Sequence, residues 1–335
     1  MNNIALEQPP EAGVDESGHL KRWAVLAAVG LGIVAALVPH ITQRQDIINR
    51  LFLIFLYITL GQSWNILAGF AGQINLGHAA FFGIGALVTR TLWLNGMAFP
   101  FAFVLGGLTS MGFALLIGIP TFRLRGAYFA IGTLALAEVL RITVSNTNPL
   151  ISTLPMDSIT TYDLSARYYL ALGLACATML STYLLLRSRL SLGIMALRED
   201  EDAAQATGVR TVQHKLLALA ISSFFAGLAG ATFAFYQVSY YPQAPFQPEW
   251  TFDALLVSFI GGLGTLIGPL LGAVFFITVR EQLSLVVQAH EVVFGVLFIV
   301  IVLALPGGLV NIWARLTKLF AALRKRNKAI HIQAP

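Results

Sequence analysis

Charge is scarce in this chain: Lys, Arg, Asp and Glu make up 11% of its 335 residues. Soluble domains carry roughly 25%, so a water-soluble fold is excluded at the outset. Cysteine is nearly missing as well. Cys176 stands alone, which rules out an internal disulfide and leaves the redox compartment undecided. Enzyme signatures are absent, with no G-x-x-x-x-G-K-[ST] phosphate loop, no H-E-x-x-H, no G-x-S-x-G and no C-x-x-C. The histidines His19, His40, His78, His214, His290 and His331 are scattered without metal-ligand spacing. Neither a metal nor a cofactor is expected, and if the protein does work against a gradient the energy must come from a partner subunit or a coupling ion. Met1–His19 is polar and carries Glu7, Glu11, Asp15 and Glu16, so no cleavable signal is expected there.

What the chain does have is long apolar runs. It is 57% hydrophobic, with a mean hydropathy of +0.75. The runs are continuous rather than alternating, which excludes a β-barrel and predicts an all-α polytopic membrane protein. A span needs about 20 apolar residues. Candidates fall at 23–39, 51–68, 75–94, 100–120, 126–145, 168–187, 215–240, 252–279 and 291–306, giving about 8–10 transmembrane helices. The net charge of +5 sits at span ends and so sets orientation rather than pointing to nucleic acid. Lys21 and Arg22, Arg123 and Arg125, the cluster Arg187, Arg189, Arg198, Arg210 and Lys215, and the tail Arg315–Lys328 all mark cytoplasmic ends. Seven crossings satisfy these marks up to residue 240. A single crossing at 252–279 would then leave the basic tail outside. Gly261, Gly262, Gly264, Gly268 and Pro269 resolve this as a broken or re-entrant pair of half-helices; an ordinary kinked helix with one further crossing is the alternative. The expected organisation is a polar cytoplasmic segment at 1–22, a transmembrane domain at 23–310 with a cytoplasmic loop at 188–214, and a basic amphipathic cytoplasmic tail at 311–335. In that tail Ile312, Trp313, Leu316, Leu319, Phe320 and Leu323 share one helical face, as in an interfacial anchor.

A weak internal repeat links two glycine-rich stretches. Gly69-Phe-Ala-Gly72-Gln73 is echoed by Gly261-Gly-Leu-Gly264-Thr265. Paired glycine-interrupted segments mark the pathway in transporters, while close helix packing explains such glycines equally well. Gly72, Gln73, Asn75, His78, Gly261 and Gly264 are therefore the candidate pathway residues, with the amides of Gln62 and Asn65 in the same neighbourhood. Asn75 fits an N-cap, and for His78 an interhelical hydrogen bond stands beside a substrate contact. Glu138 and Arg141, three apart on one span, read as a structural ion pair, with a proton relay as the alternative. Arg90 near a span end is expected to snorkel, and Arg280 and Glu281 are placed at the membrane surface.

The charged island Leu197–Lys215 reads L-R-E-D-E-D-A-A-Q-A-T-G-V-R-T-V-Q-H-K. Asp200 and Glu201 suit a helix N-terminus, Ala203, Ala204 and Ala206 favour the helix, and Gly208 suits its C′ position. A short helix with a small-residue face fits a groove on a soluble partner. The alternative is a solvated loop that only carries topology, but acidic residues contribute little to that signal.

At this point a resemblance can be stated. Asp202-Ala203-Ala204-x-x-x-Gly208 resembles the EAA-type coupling motif of ABC importer permeases, with Asp at the first position. More specifically, 68–86 (A-G-F-A-G-Q-I-N-L-G-H-A-A-F-F-G-I-G-A), 123–141, 188–209, 215–231 and 258–273 resemble the LivM type of branched-chain amino acid permeases. The resemblance covers roughly residues 50–310 and implies a non-enzymatic transport subunit of the bacterial inner membrane. It implies as partners a second homologous permease, two cytoplasmic ATPase subunits and an extracytoplasmic solute-binding protein. It assigns coupling to Arg198, Glu201, Asp202, Ala203, Ala204 and Gly208. Loops at 146–167 and 241–251 would meet the binding protein. The wider family includes urea and short-amide permeases, and 68–86 does not choose between cargoes. An ion-coupled carrier acting alone, or a membrane enzyme using His78 or Glu138, are the competing classes.

Overall fold

A computed structural model describes residues 32, 34–42, 44–148, 150, 152–153, 162–286, 290–304 and 307–311. The expected segment 1–22, most of the span at 23–39 and all of the tail helix beyond residue 311 lie outside these residues. The chain divides after Arg44. In the first part, residues 34–41 are helical. The second part begins with α1 (Gln45–Asn65), which runs on through a π-helical turn at Ile66–Phe70. Then come α2 (His78–Leu94), α3 (Phe99–Thr121), α4 (Ala127–Thr147), α5 (Leu164–Arg187), α6 (Leu190–Glu199), α7 (Glu201–Ala206) and α8 (Thr211–Tyr236). The last three are α9 (Glu249–Gly261), α10 (Gly268–Val286) and α11 (His290–Ala304).

The protein is an all-α polytopic membrane protein. Among the described residues, five helices are long and apolar enough to cross a bilayer: α1 with its π turn, α3, α4, α5 and α8. The expected span at 75–94 is shorter, because the chain stays irregular until Gly77 and only then enters α2. The span at 215–240 stops at Tyr236, since Ser239–Tyr240 is drawn into a two-residue antiparallel pairing with Ser152–Thr153. The segment 252–279 is broken, as expected. α9 ends at Gly261, and residues 262–267 turn the chain into α10. A Cβ on Gly261 would enter the Gly268 carbonyl, and one on Gly272 the Val257 carbonyl. These two antiparallel contacts hold the helices backbone to backbone.

The bundle centre is α1 and α8, whose spans are 89% and 72% buried, whereas α4 is only 22% buried. Small residues set the spacing of α2, α3 and α8. Gly85 lies on the Gly227 backbone, Gly230 on the Phe82 carbonyl, and Gly106 on the Thr89 hydroxyl. Lipid offers no hydrophobic incentive for helices to associate, so such close backbone approach is where packing strength comes from. Aromatic rings fill the wider gaps: Phe82 stacks on Trp250 at 4.4 Å between centroids, and Phe52 on Tyr236 at 4.4 Å.

One sequence expectation about the charged side chains needs correction. Arg90 does not snorkel, being only 1% exposed. Its guanidinium donates to the carbonyls of Ala234, Gln237 and Val238, at 3.3, 3.1 and 3.0 Å, and so caps the end of α8. Arg167 joins it there, donating to the Phe235 carbonyl at 3.0 Å. Cationic side chains on the last carbonyls of a helix are favoured by its dipole. Arg280 and Glu281, expected at the membrane surface, keep 39% and 38% of their side chains exposed and are each held by a neighbouring helix. Arg280 bonds Asp253 at 3.0 Å and the Tyr57 hydroxyl at 3.3 Å, and Glu281 pairs with Arg50.

Candidate functional site

The charged island is two helices rather than one. α6 ends at Glu199 because Asp200 adopts an extended conformation (φ −158°, ψ 117°). Its carboxylate then accepts from Asp202 N–H and Ala203 N–H, both at 2.9 Å, and starts α7. Gly208, at φ +89°, closes α7. Its N–H donates to the Gln205 carbonyl and that of Val209 to the Ala204 carbonyl, both at 3.0 Å, the paired bonds of a Schellman ending. Arg198 thus belongs to α6, not to the short helix with which the sequence grouped it.

α7 is pinned to the bundle from both sides. Glu201 accepts from Lys215 at 2.6 Å, and Lys215 is 1% exposed with its ammonium 5.7 Å from the Phe122 ring centre. Asp202 pairs with Arg125 at 3.0 Å across exposed surface. Ala204 faces inward and is buried, while Ala203, Gln205, Ala206 and Gly208 are exposed. What the helix offers its surroundings is a low, small-residue surface.

Arg198 connects this unit to the membrane core. Its Nη1 donates to the Gly69 carbonyl at 2.8 Å, at the π-helical end of α1. Its backbone lies on Gly72, where a Cβ would come within 3.0 Å of the Arg198 Cα, and its guanidinium lies on Gly264. Gly72 and Gly264 have φ of +70° and +73°. Asn65 clamps the same junction: its Oδ1 accepts from Gly264 N–H at 2.8 Å, and its Nδ2 donates to the Thr265 carbonyl at 2.9 Å. The two glycine stretches that echo each other in sequence therefore meet in space, around a side chain from the island. Sequence reading missed this role of Asn65, although its amide at the end of an apolar span was the available signal.

The other pathway candidates lie on the loop 71–77 and its flanks. Asn75 is not the N-cap of α2, which is Gly77 without a side-chain cap. Instead its Oδ1 accepts from Gly77 N–H at 2.8 Å, while its carbonyl takes the Trp64 indole N–H at 2.8 Å. Gln73 is half-buried. The Ser63 hydroxyl donates to the Leu60 carbonyl at 2.7 Å, so the 2.8 Å contact with His78 makes His78 Nε2 the donor. His78 Nδ1 is then a buried acceptor with no partner among the described residues; the Gln62 amide, donor and acceptor alike, and the hydroxyl of Ser222 are likewise buried without one. Thr251, on α9, accepts from Ala79 N–H at 2.8 Å. Gly261 sits in the α9–α10 contact. Glu138 and Arg141 form a two-bond ion pair on α4, at 2.5 and 2.9 Å, away from the Arg198 junction. A cavity of about 550 Å³ lies far from that junction, at the start of α1, between Asp46, Asn49, Tyr162, Asp163 and Tyr236.

The described residues thus form a helical membrane bundle with a broken glycine-lined segment and a short charged helix at Glu201–Ala206. The family model for the branched-chain amino acid transport system permease component matches residues 47–305, and the chain belongs to that family, one of membrane transport subunits. Among relatives, the high-affinity branched-chain amino acid transport system permease protein LivM of Salmonella typhimurium is 29% identical, covering 91% of this chain and 79% of the relative. LivM of Escherichia coli is 29% identical over 85% of this chain and 74% of its own. A probable LivM of Methanocaldococcus jannaschii is 25% identical over 79% and 93% respectively. No solved structure matches.

Proposed function

We propose that this chain is the permease subunit of an ATP-driven importer of branched-chain amino acids, working with a homologous permease, two cytoplasmic ATPases and an extracytoplasmic binding protein. The carrying observation is the Arg198 junction, where the exposed small-residue helix α7 is joined through α6 to both glycine turns of the membrane core. An ATPase gripping α7 would move Arg198, and with it the mutual position of the two turns. Differential contact with the two access states is what coupling requires. The cargo follows the names of the relatives. Domain 23–310 would be the membrane-embedded body of an inner-membrane protein, with both termini and the island on the cytoplasmic side where the basic residues accumulate.

The test is uptake by the full complex in proteoliposomes. Leucine, isoleucine and valine should enter only with ATP and binding protein present. In Gly208→Val, ATP hydrolysis should persist while uptake falls by about tenfold or more. Full uptake by that variant would reject the coupling role. Uptake of urea or short amides in place of leucine would reject the cargo.

A further inference from the structure

Resting on the permease reading above, we propose that the outward face of α4 is the seam with the second, homologous permease subunit, and that the Glu138–Arg141 pair lies in that seam. α4 turns only Phe129, Thr133, Ala137 and Val144 into this chain's own bundle. Tyr128, Ile131, Val139 and Ile142 are 77, 63, 59 and 48% exposed. Such a face alone would suit lipid. The ion pair does not. Glu138 lies about 17 Å along the helix from its start, near mid-span, and 38% of its side chain and 33% of that of Arg141 remain uncovered. Hydrocarbon does not hydrate such charges, which in membrane proteins face other protein or a water-filled passage. Among the described residues the two bond only to each other.

The pair also says what kind of partner fits. A soluble protein cannot reach mid-span, and an apolar helix would leave the charges as they are. A subunit of the same fold, related by a rotation about the membrane normal, brings its own α4 to the same depth. Charged or amide side chains there can answer Glu138 with a donor and Arg141 with an acceptor. The seam would continue into the pathway loop. Leu76 N–H donates to the Thr133 hydroxyl at 3.2 Å, and Gly77 rests on the Thr133 carbonyl. Ile74, next to Gln73, is 47% exposed. The passage would then run between two subunits, walled on this side by α4 and the 71–77 loop.

The experiment places a photo-crosslinking amino acid at Ile131, Val139 or Ile142, in the complete transporter in membranes, with Leu116 on α3 (72% exposed) as control. The three α4 positions should give a protein adduct that mass spectrometry identifies as the homologous permease, and Leu116 should give none. Absence of a protein adduct in a complex that still co-purifies its ATPases overturns the seam while leaving the function intact. An adduct with the mass of two copies overturns the choice of partner. If no ATPase or second permease co-purifies at all, the seam fails together with the reading it rests on. In a second arm, Glu138→Gln should lower recovery of the second permease by about tenfold with expression of this chain unchanged, and undiminished recovery overturns the part given to the ion pair.

Discussion

Gly264 carries two constraints at once. Its φ of +73° belongs to the left-handed region, where a Cβ costs about 1–2 kcal/mol. Its missing side chain also makes room for the Arg198 guanidinium. Gly264→Ala should therefore abolish uptake in the reconstituted complex while detergent-solubilised protein still elutes as an assembled transporter. Arg198→Lys keeps the charge but loses the rigid fork, and should retain more uptake than Arg198→Ala. Full uptake in Arg198→Lys would mean that charge, not the guanidinium's bond to Gly69, matters. Gly264 and Gly72 were legible because the two glycine-rich stretches echo each other along the chain. The reach of Arg198 was not legible, since its partner lies 129 positions away. The same reason explains Arg90, whose capped carbonyls come from residues 144 to 148 positions downstream.

Among the elements, α7 was the most readable, because its start, propensity and stop are all local. Asp200, the alanines and Gly208 act within one turn of the chain. What escaped notice was α6 as a helix of its own with Arg198 on it, because helix-favouring residues run up to Asp200, whose extended backbone separates the two helices. Removing the acid in Glu201→Gln would leave Lys215 buried without its counter-charge, a loss toward the lower end of about 3–5 kcal/mol since Glu201 is partly open. The expected result is faster proteolysis at the island and a lower melting temperature of the purified protein. Close helix packing gives a second prediction. A side chain at Gly227 would enter the space of Ser110 and the Gly106 carbonyl. Gly227→Leu should prevent stable insertion, whereas Gly173→Ala, where nothing lies within 4 Å, should leave thermal stability within about 0.5 kcal/mol.

For the whole molecule, the decisive question is whether it works alone. In proteoliposomes without ATPase subunits it should move no amino acid under a proton or sodium gradient, and any gradient-driven uptake would restore the ion-coupled carrier. Composition and the lengths of apolar runs were enough to settle membrane class and helical architecture, and the glycines with Pro269 marked the broken segment at 252–279. The reason is that a bilayer demands about 20 apolar residues per crossing and full backbone hydrogen bonding, whatever the neighbours. Tertiary structure alone decided that the two glycine turns share Arg198, that Arg90 and Arg167 converge on the end of α8, and that α4 leaves its ion pair uncovered. Those outcomes depend on which helices approach which. Close approach is set by small residues and polar bonds between distant segments, and no local pattern along the chain records it.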